Sequence, residues 1–494
     1  MKAKKNNSLL KTAYLTVVFI ILNYTFFGQI LTSSPYSRYG LGEINQQTFA
    51  AQAALGNSFI AYHQDTIAPF YINIANPAGL ASIKLTVLEI GGQGQFTKIS
   101  STSSNTNKRN VNFSYGSLGF PLKKIGGMAF GIMPYSTVGY KITSYQDEPS
   151  IGSMKYIFQG DGGLNKVFLG SGIRPFRNYE SKFYKSDFAD TLIAHEKTKQ
   201  YKRIKFGRQL VSNFSIGASA NYIFGTINQT TDAIYPSSVL FFNTKRQRSA
   251  QVNDFTFNGG MQTHFTIDSA KYHGKDTLKK GHRINLKERL VVGTGFFINT
   301  PTSLNAKQNN IIYTYALDGF GTERPKDTVL NSQGINGEIT LPLEFGAGLS
   351  LKKGEKLTVL LDAATTNWNG FKYFDAPNIE FKNSYRVSFG INYVPNKLAY
   401  GSSNYIKRIH YRLGASYTNG YLDLKNTKIS NYAITAGLGL PVGIGRYDEI
   451  GVVNVSAQFG KLGSTNNNLL QEEYIRLNVG FTFNKRWFIK YKYD

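Results

Sequence analysis

The sequence predicts an all-β protein: a transmembrane antiparallel β-barrel of about fourteen strands, with a small amino-terminal plug folded inside its lumen. Three observations lead there. From about Leu85 onward the 494-residue chain alternates apolar and polar residues with period two, in segment after segment. Ahead of this pattern, Lys2, Lys4, Lys5 and Lys11 precede the apolar run Thr12 to Phe27, the positive and apolar parts of a secretion signal. No other stretch approaches the roughly 18 consecutive apolar residues that a membrane helix needs, so any crossing must be made by strands.

The clearest strand is Asn213 to Phe224, where Phe214, Ile216, Ala218, Ala220, Tyr222 and Phe224 share one face and Asn213, Ser215, Gly217, Ser219 and Asn221 the other. Ser384 to Tyr393 repeats the scheme, with Tyr385, Val387, Phe389, Ile391 and Tyr393 against Arg386, Ser388, Gly390 and Asn392. Tyr474 to Asn484 does so again. Ile339 to Leu351 puts its apolar residues on one face while Glu344 and Ser350 point the other way. A soluble sandwich also alternates; the number of repeats, the 32 Tyr, 35 Phe and 2 Trp available for interfacial girdles, and the signal favour a barrel over a soluble secreted β protein. Counting segments gives 85–97, 110–121, 127–143, 154–174, 212–227, 251–267, 287–300, 336–351, 357–368, 383–395, 408–419, 430–441, 449–460 and 472–484. The turn-like Gly160-Asp161-Gly162-Gly163 inside the fourth leaves twelve or sixteen open.

The expected organisation is a signal peptide over 1–28, cut near Gly28/Gln29, a plug over 29–84, and the barrel over 85–494. Without the four signal lysines the formal charge falls from +26 to about +22, which in the cell envelope suits lipopolysaccharide or an acidic partner, and nucleic acid is not expected. The absence of cysteine excludes disulfides, thiolate metal sites and a lipidated amino-terminal Cys. The six His are scattered without metal-site spacing, and neither metal nor cofactor is expected. No G-x-S-x-G elbow or other catalytic constellation stands out, so an enzyme is not predicted. The glycines of Gly437-Leu438-Gly439 and Gly443-Ile444-Gly445 lack a phosphate-loop context and read as places where the barrel bends or the plug presses close.

The stretch from Gly56 to Ile83 has no steady period and ends in the turn Asn76-Pro77-Ala78-Gly79. Its A-L-G-N-S-F-I-A, followed by N-P-A-G-L-A, resembles the amino-terminal hatch of the FadL family, outer-membrane transporters of long-chain fatty acids and other hydrophobic compounds. The segment Ser34 to Gly42, S-P-Y-S-R-Y-G-L-G, looks like the one just after the signal in many outer-membrane proteins of Bacteroidota. The resemblance implies fourteen strands, the outer membrane of a Gram-negative bacterium, and passive uptake of a hydrophobic ligand through an apolar lumen pocket, a shifting plug and a lateral exit at a kinked third strand. Carried onto this chain, Phe70, Tyr71, Ile72 and Ile74 would line the pocket or, alternatively, only pack the plug in place, and Asn76, Pro77 and Gly79 would form the turn that docks the plug on the barrel wall. Pro134, at the centre of the third strand, cannot complete a ladder. Pro134 and Tyr135 therefore mark a candidate lateral gate, with a sealed bulge as the alternative.

Strand parity places two long basic connections, about 175–211 and 268–286, on the periplasmic side unless the count slips near residue 160. The first carries Lys197, Lys199, Lys202, Arg203, Lys205 and Arg208, a candidate partner-binding loop. The alternative to transport is accordingly a non-transporting accessory subunit of an outer-membrane protein assembly or secretion machine, whose basic loops bind envelope partners. In either reading membrane lipid and lipopolysaccharide surround the barrel.

Overall fold

The computed structural model describes residues 34–64, 68–102, 104–122, 125–149, 151–176, 207, 209–236, 241–267, 290–374, 376–377, 381–399, 402–443 and 450–487. Fourteen antiparallel strands close into a barrel. They are β1 (Thr86–Ser100), β2 (Asn105–Leu122), β3 (Gly126–Glu148), β4 (Gly152–Ile173), β5 (Ser215–Ile234), β6 (Asn243–Ile267), β7 (Leu290–Asn299, continued as Thr302–Leu317), β8 (Glu323–Leu341, continued as Glu344–Lys353), β9 (Leu357–Thr366), β10 (Ser384–Tyr393), β11 (His410–Thr418), β12 (Asn431–Gly443), β13 (Ile450–Gly463) and β14 (Gln471–Lys485). Closure comes from pairing β1 with β14 over their whole length, Thr86 opposite Lys485 and Ser100 opposite Gln471.

The exposure pattern is that of a membrane wall. Ile216, Phe345, Leu349, Phe389, Leu413, Ile434 and Val479 are all exposed, whereas their polar neighbours Ser215, Ser350, Ser388, Thr435 and Asn478 are buried. A soluble protein would reverse the two sets; here the apolar face meets lipid and the polar face the lumen. Tyr417 and Tyr432, with ring centroids 4.8 Å apart, and Tyr385 beside Tyr417 form part of an aromatic girdle at one boundary. β10 and β11, with 10 and 9 residues, are just long enough to span a bilayer at a barrel's tilt. The chain is thus an outer-membrane β-barrel, and among the described residues no helix is long and apolar enough to cross a membrane.

The wall is uneven. β3 to β8 stand far taller than β9 to β11. β7 and β8 each run in two pieces, broken at Pro301 and Pro342, where the missing N–H interrupts the ladder. Above the breaks they form a hairpin, Thr302–Leu317 with Glu323–Leu341, of which the alternation read from sequence reaches only 336–341. Its outer part, Glu323 to Asn331, is exposed on both faces and so has no need to alternate. The cluster Gly160-Asp161-Gly162-Gly163 is continuous strand, paired with β3 and β5, so the count does not slip there. Gly162 and Gly163 take φ values of +95° and +145°, bending β4 opposite the Pro134–Tyr135 irregularity.

With fourteen strands, the connections between β4 and β5 and between β6 and β7 leave the barrel at the end where Thr86 and Lys485 lie. Lys197, Lys199, Lys202, Arg203, Lys205 and Arg208 lie outside the described residues.

Candidate functional site in the barrel lumen

Residues 34–64 and 68–83 pack against the inward faces of the strands, and the lower part, from Phe49 onward, is bound by its own backbone. In water an extended backbone is fully solvated; buried, each N–H must find an acceptor. The wall supplies them. Asp362 Oδ2 on β9 accepts from the Phe59 and Ile60 amides at 2.6 and 2.8 Å. Glu89 on β1 accepts from Ile72 N at 3.1 Å, and Asn484 on β14 from Phe70 N at 2.8 Å. The Thr435 hydroxyl on β12 accepts from Gly56 N and donates to Ala54 O, both at 3.0 Å. Gln262 on β6 donates to the carbonyls of Ile60 and Tyr62 at 3.0 and 2.8 Å. Arg412 on β11 reaches the Tyr71 hydroxyl at 2.8 Å while also binding Asn454 at 2.7 Å.

Such close approach needs a wall without side chains at the contact points. Inward positions on successive strands are glycine: Gly172 on β4, Gly217 on β5, Gly260 on β6, Gly390 on β10, Gly414 on β11 and Gly437 on β12. A Cβ at Gly172 would sit 2.6 Å from Pro77 O, one at Gly390 2.6 Å from Leu55 O, and one at Gly437 2.6 Å from the Ala54 methyl. These distances lie below any van der Waals contact, so the belt and the segment fit only each other.

The residues singled out from sequence fall into distinct places. Asn76 is fully buried; its side chain caps the turn by accepting from Ala78 N at 3.1 Å and docks it by donating to Met261 O on β6 at 3.1 Å. Pro77 opens the short 3-10 turn Pro77–Ser82, pressed on Gly172 and Gly217, and the space where a Gly79 side chain would stand is filled by Asn73. Phe70 and Ile72 are buried in a cluster with Leu80, Ile83, Val87, Tyr115, Met133 and Phe168. Tyr71 packs with Leu55, Phe59, Tyr62 and Leu360. Of the four side chains expected at a pocket, Ile74 alone borders the large lumen cavity; the other three pack the segment in place. The acceptors Asp362, Glu89 and Asn484 carry no signal in the sequence, because a lone polar residue on an inward face looks the same whether it meets water or an amide. Nor did it bring together His63 and His264, whose rings stack at 4.7 Å.

Above this floor lies a cavity of about 360 Å³. Its lining mixes Ile74, Phe297, Leu341 and Trp368 with charged Glu43, Lys166, Glu344, Arg386, Glu472 and Arg476. Arg476 binds Glu43 at 3.3 Å and Gln95 at 3.0 Å, and Ser34 donates to Glu472 at 2.6 Å. An aromatic cap stands over it: Trp368 stacks on Tyr421 at 4.4 Å, and Phe371 and Phe381 pack beside them, 4.9 Å apart. The Tyr421 hydroxyl donates to Gly42 O at 3.2 Å and that of Tyr36 to Leu470 O, and burial pushes both phenols up from their ordinary range.

Among the described residues the wall has an unpaired seam at Pro134. β2 and β3 pair from Gly116–Ile132 to Leu122–Gly126 and no further. β3 and β4 pair on either side of Tyr135, which is bulged out. The seam is partly filled from within: Glu43 and Ile44 pair with Thr137 and Ser136, Asn45 N donates to Tyr135 O at 3.0 Å, and Gln47 donates to Pro134 O at 3.1 Å. A pocket of about 50 Å³ beside it is lined by Gln46, Asn112, Phe113, Ser114, Met133 and Pro134.

The fold defines the class, a fourteen-stranded outer-membrane barrel. The BamG family model matches residues 9–181 and 201–494, and the chain belongs to the BamG family. Among solved structures it is similar to the toluene transporter TodX of Pseudomonas putida, at 14% identity and a TM-score of 0.49 over 90% of this chain and 99% of that one. It is also similar to the toluene transporter TbuX of Ralstonia pickettii (10%, TM-score 0.47, 89% and 98% covered) and to a Pseudomonas aeruginosa FadL homologue (10%, 0.47, 90% and 98%). No curated protein matches the chain.

Proposed function

We propose that this barrel is a sealed, non-transporting subunit of an outer-membrane protein assembly or secretion machine, with residues 34–83 as a fixed plug. The observation that carries the reading is the seating of the floor. A plug that shifts to pass cargo must exchange its contacts for others of similar strength, yet this one has buried amides bonded to Asp362 and Glu89 and backbone pressed on glycine. Pulling it away would strand buried carboxylates and amides, each costing about 1–3 kcal/mol. The cavity above, ringed by six charged side chains, also suits an apolar cargo poorly, since such a cargo would take water from those charges. The basic connections 175–211 and 268–286 are the surfaces assigned to envelope partners. Native purification from the producing cell tests this: stoichiometric partner proteins are expected, and their loss on deleting residues 178–208 is expected too. A chain that purifies alone, and that speeds entry of a hydrophobic dye into liposomes, would refute it.

A second reading, passive uptake of a hydrophobic compound with lateral exit at Pro134 and Tyr135, is favoured by the unpaired seam and its small pocket. Its test is dye entry measured against a Gln47→Ala variant, which frees Pro134 O and widens the seam; faster entry in the variant would support it.

A further inference from the structure

We infer that the outer half of β3, Lys141 to Asp147, is a docking edge to which an extended segment of a partner polypeptide on the cell's exterior adds as a strand. β3 has 23 residues, about twice what a bilayer requires, so its last turn of ladder stands in water above the membrane. On one side it pairs with β4 without interruption from Ser136 to Glu148. On the other, pairing with β2 ends at Ile132 and pairing with the chain's own Glu43–Ile44 ends at Thr137. The Gly139 amide is then capped by the Ser37 hydroxyl at 3.1 Å, and beyond it no ladder is recorded among the described residues.

Three free edges border the tall part of the wall, and two are guarded in the ways proteins use to prevent edge pairing. That of β2 carries Lys108 and Arg109 and is kinked where Ser114 is skipped at the Gly91/Gly92 shift. That of β8 carries Pro325 and Lys326 and has three register shifts between Pro325 and Ile335. The edge of β3 has neither proline nor register shift beyond Ser136, and a single lysine: from Lys141 to Asp147 it reads K-I-T-S-Y-Q-D, regular and rich in strand formers.

The ladder fixes what can bind. Tyr135 O and Gly139 N both face the free side, so the odd-numbered residues Lys141, Thr143, Tyr145 and Asp147 present their N–H and C=O groups there. Only another main chain offers donors and acceptors at that repeat, which lipopolysaccharide does not. A second copy is excluded by symmetry: two copies in one membrane, related by rotation about its normal, would bring their β3 strands together in parallel, with Lys141 beside Lys141 and Asp147 beside Asp147. The occupant is therefore a different chain, running antiparallel as Glu43–Ile44 does, with an acidic residue facing Lys141 and a basic one facing Asp147.

The cysteine-free, full-length protein in its native outer membrane allows a direct test. A photo-crosslinking phenylalanine analogue at Tyr145 is expected to give one discrete protein adduct, and the same probe at Val329 on the guarded edge none. Thr143→Pro removes a free-edge N–H without touching the β4 ladder, and is expected to cut the adduct at least tenfold while the heat-resistant folded band on gels is unchanged. Lys141→Asp is expected to cut it several-fold, and serves as the variant if Thr143→Pro does not fold. No adduct, an adduct with lipopolysaccharide only, or a protein adduct indifferent to both variants would overturn the inference. Because the assay reads the exterior edge, it can fail while partner loss on deleting residues 178–208 stands, or the reverse.

Discussion

The floor and the upper chamber of the lumen are built by opposite means from the same kind of wall. In the floor, backbone meets backbone: glycine on successive strands lets residues 54–64 and 68–83 approach closely, and buried amides are met by carboxylate, amide or hydroxyl side chains. In the chamber, side chains meet side chains around a cavity, and the roof is made of rings from loops. A glycine contact cannot be made gradually tighter or looser, whereas rings can slide and loops can lift. In the proposed reading the floor is the part that stays, and whatever adjustment the lumen allows belongs above it.

The sharpest way to break that distinction is to fill the belt. Gly217→Leu places a side chain where the Pro77 backbone stands, and is expected to destabilise the docked segment by about 3 kcal/mol or more, exposing the stretch around residues 54–83 to protease while the barrel keeps its heat-resistant gel mobility. If the segment remains protected, the belt is not what holds it. Next in size, Asp362→Ala leaves the Phe59 and Ile60 amides buried without an acceptor, an expected loss of about 2–5 kcal/mol. Amide exchange at those two residues should accelerate before any change in the strands. Asp362→Asn, which keeps an acceptor oxygen, should recover most of the loss.

How much of this was legible beforehand depends on what each residue's role requires. The wall was legible, because lipid outside and polar lumen inside write a period of two into Ser215 to Ile227 and every strand like it. Asn76-Pro77 was legible as a turn because the side-chain cap and fixed φ are local. Gly437 was readable as a point of close approach, since glycine weakens a strand unless something presses on it. The apolar stretch Phe70 to Ile74 admitted two readings. An apolar side chain that lines a pocket and one that fills a core follow the same pattern, and the structure puts Phe70, Tyr71 and Ile72 in cores. Most of the upper hairpin escaped detection because its register shifts, and the exposure of Glu323 to Asn331 on both faces, leave no period. Asp362 and Glu89 escaped because their partners lie some 300 and 17 residues away along the chain.

Two smaller tests sharpen the comparison from above. Tyr421→Phe deletes the hydroxyl bonded to Gly42 O, with an expected cost of about 1 kcal/mol, while Trp368 and Phe381 keep the ring in place. The effect should appear as faster exchange around residues 40–44 and leave the floor amides unchanged.

The smallest expected effect is at the exposed tip of the upper hairpin. There Asp318 accepts from Thr322 N at 2.8 Å, Phe320 N at 3.0 Å and Arg324 Nε at 3.1 Å. Those donors, the Thr322 amide foremost, hold its carboxyl below the ordinary carboxylate range. A depressed value means that the turn gains its stability above the ordinary carboxylate pKa, near 4, and loses it as the pH falls through the lower folded one. Backbone resonances of Phe320 and Thr322 followed from pH 6 to pH 2 should therefore move together below pH 4, and in Asp318→Asn they should not move at all. If they titrate at or above the ordinary carboxylate value, the amides do not bind the ionised side chain in solution, and the tip is looser than its geometry implies.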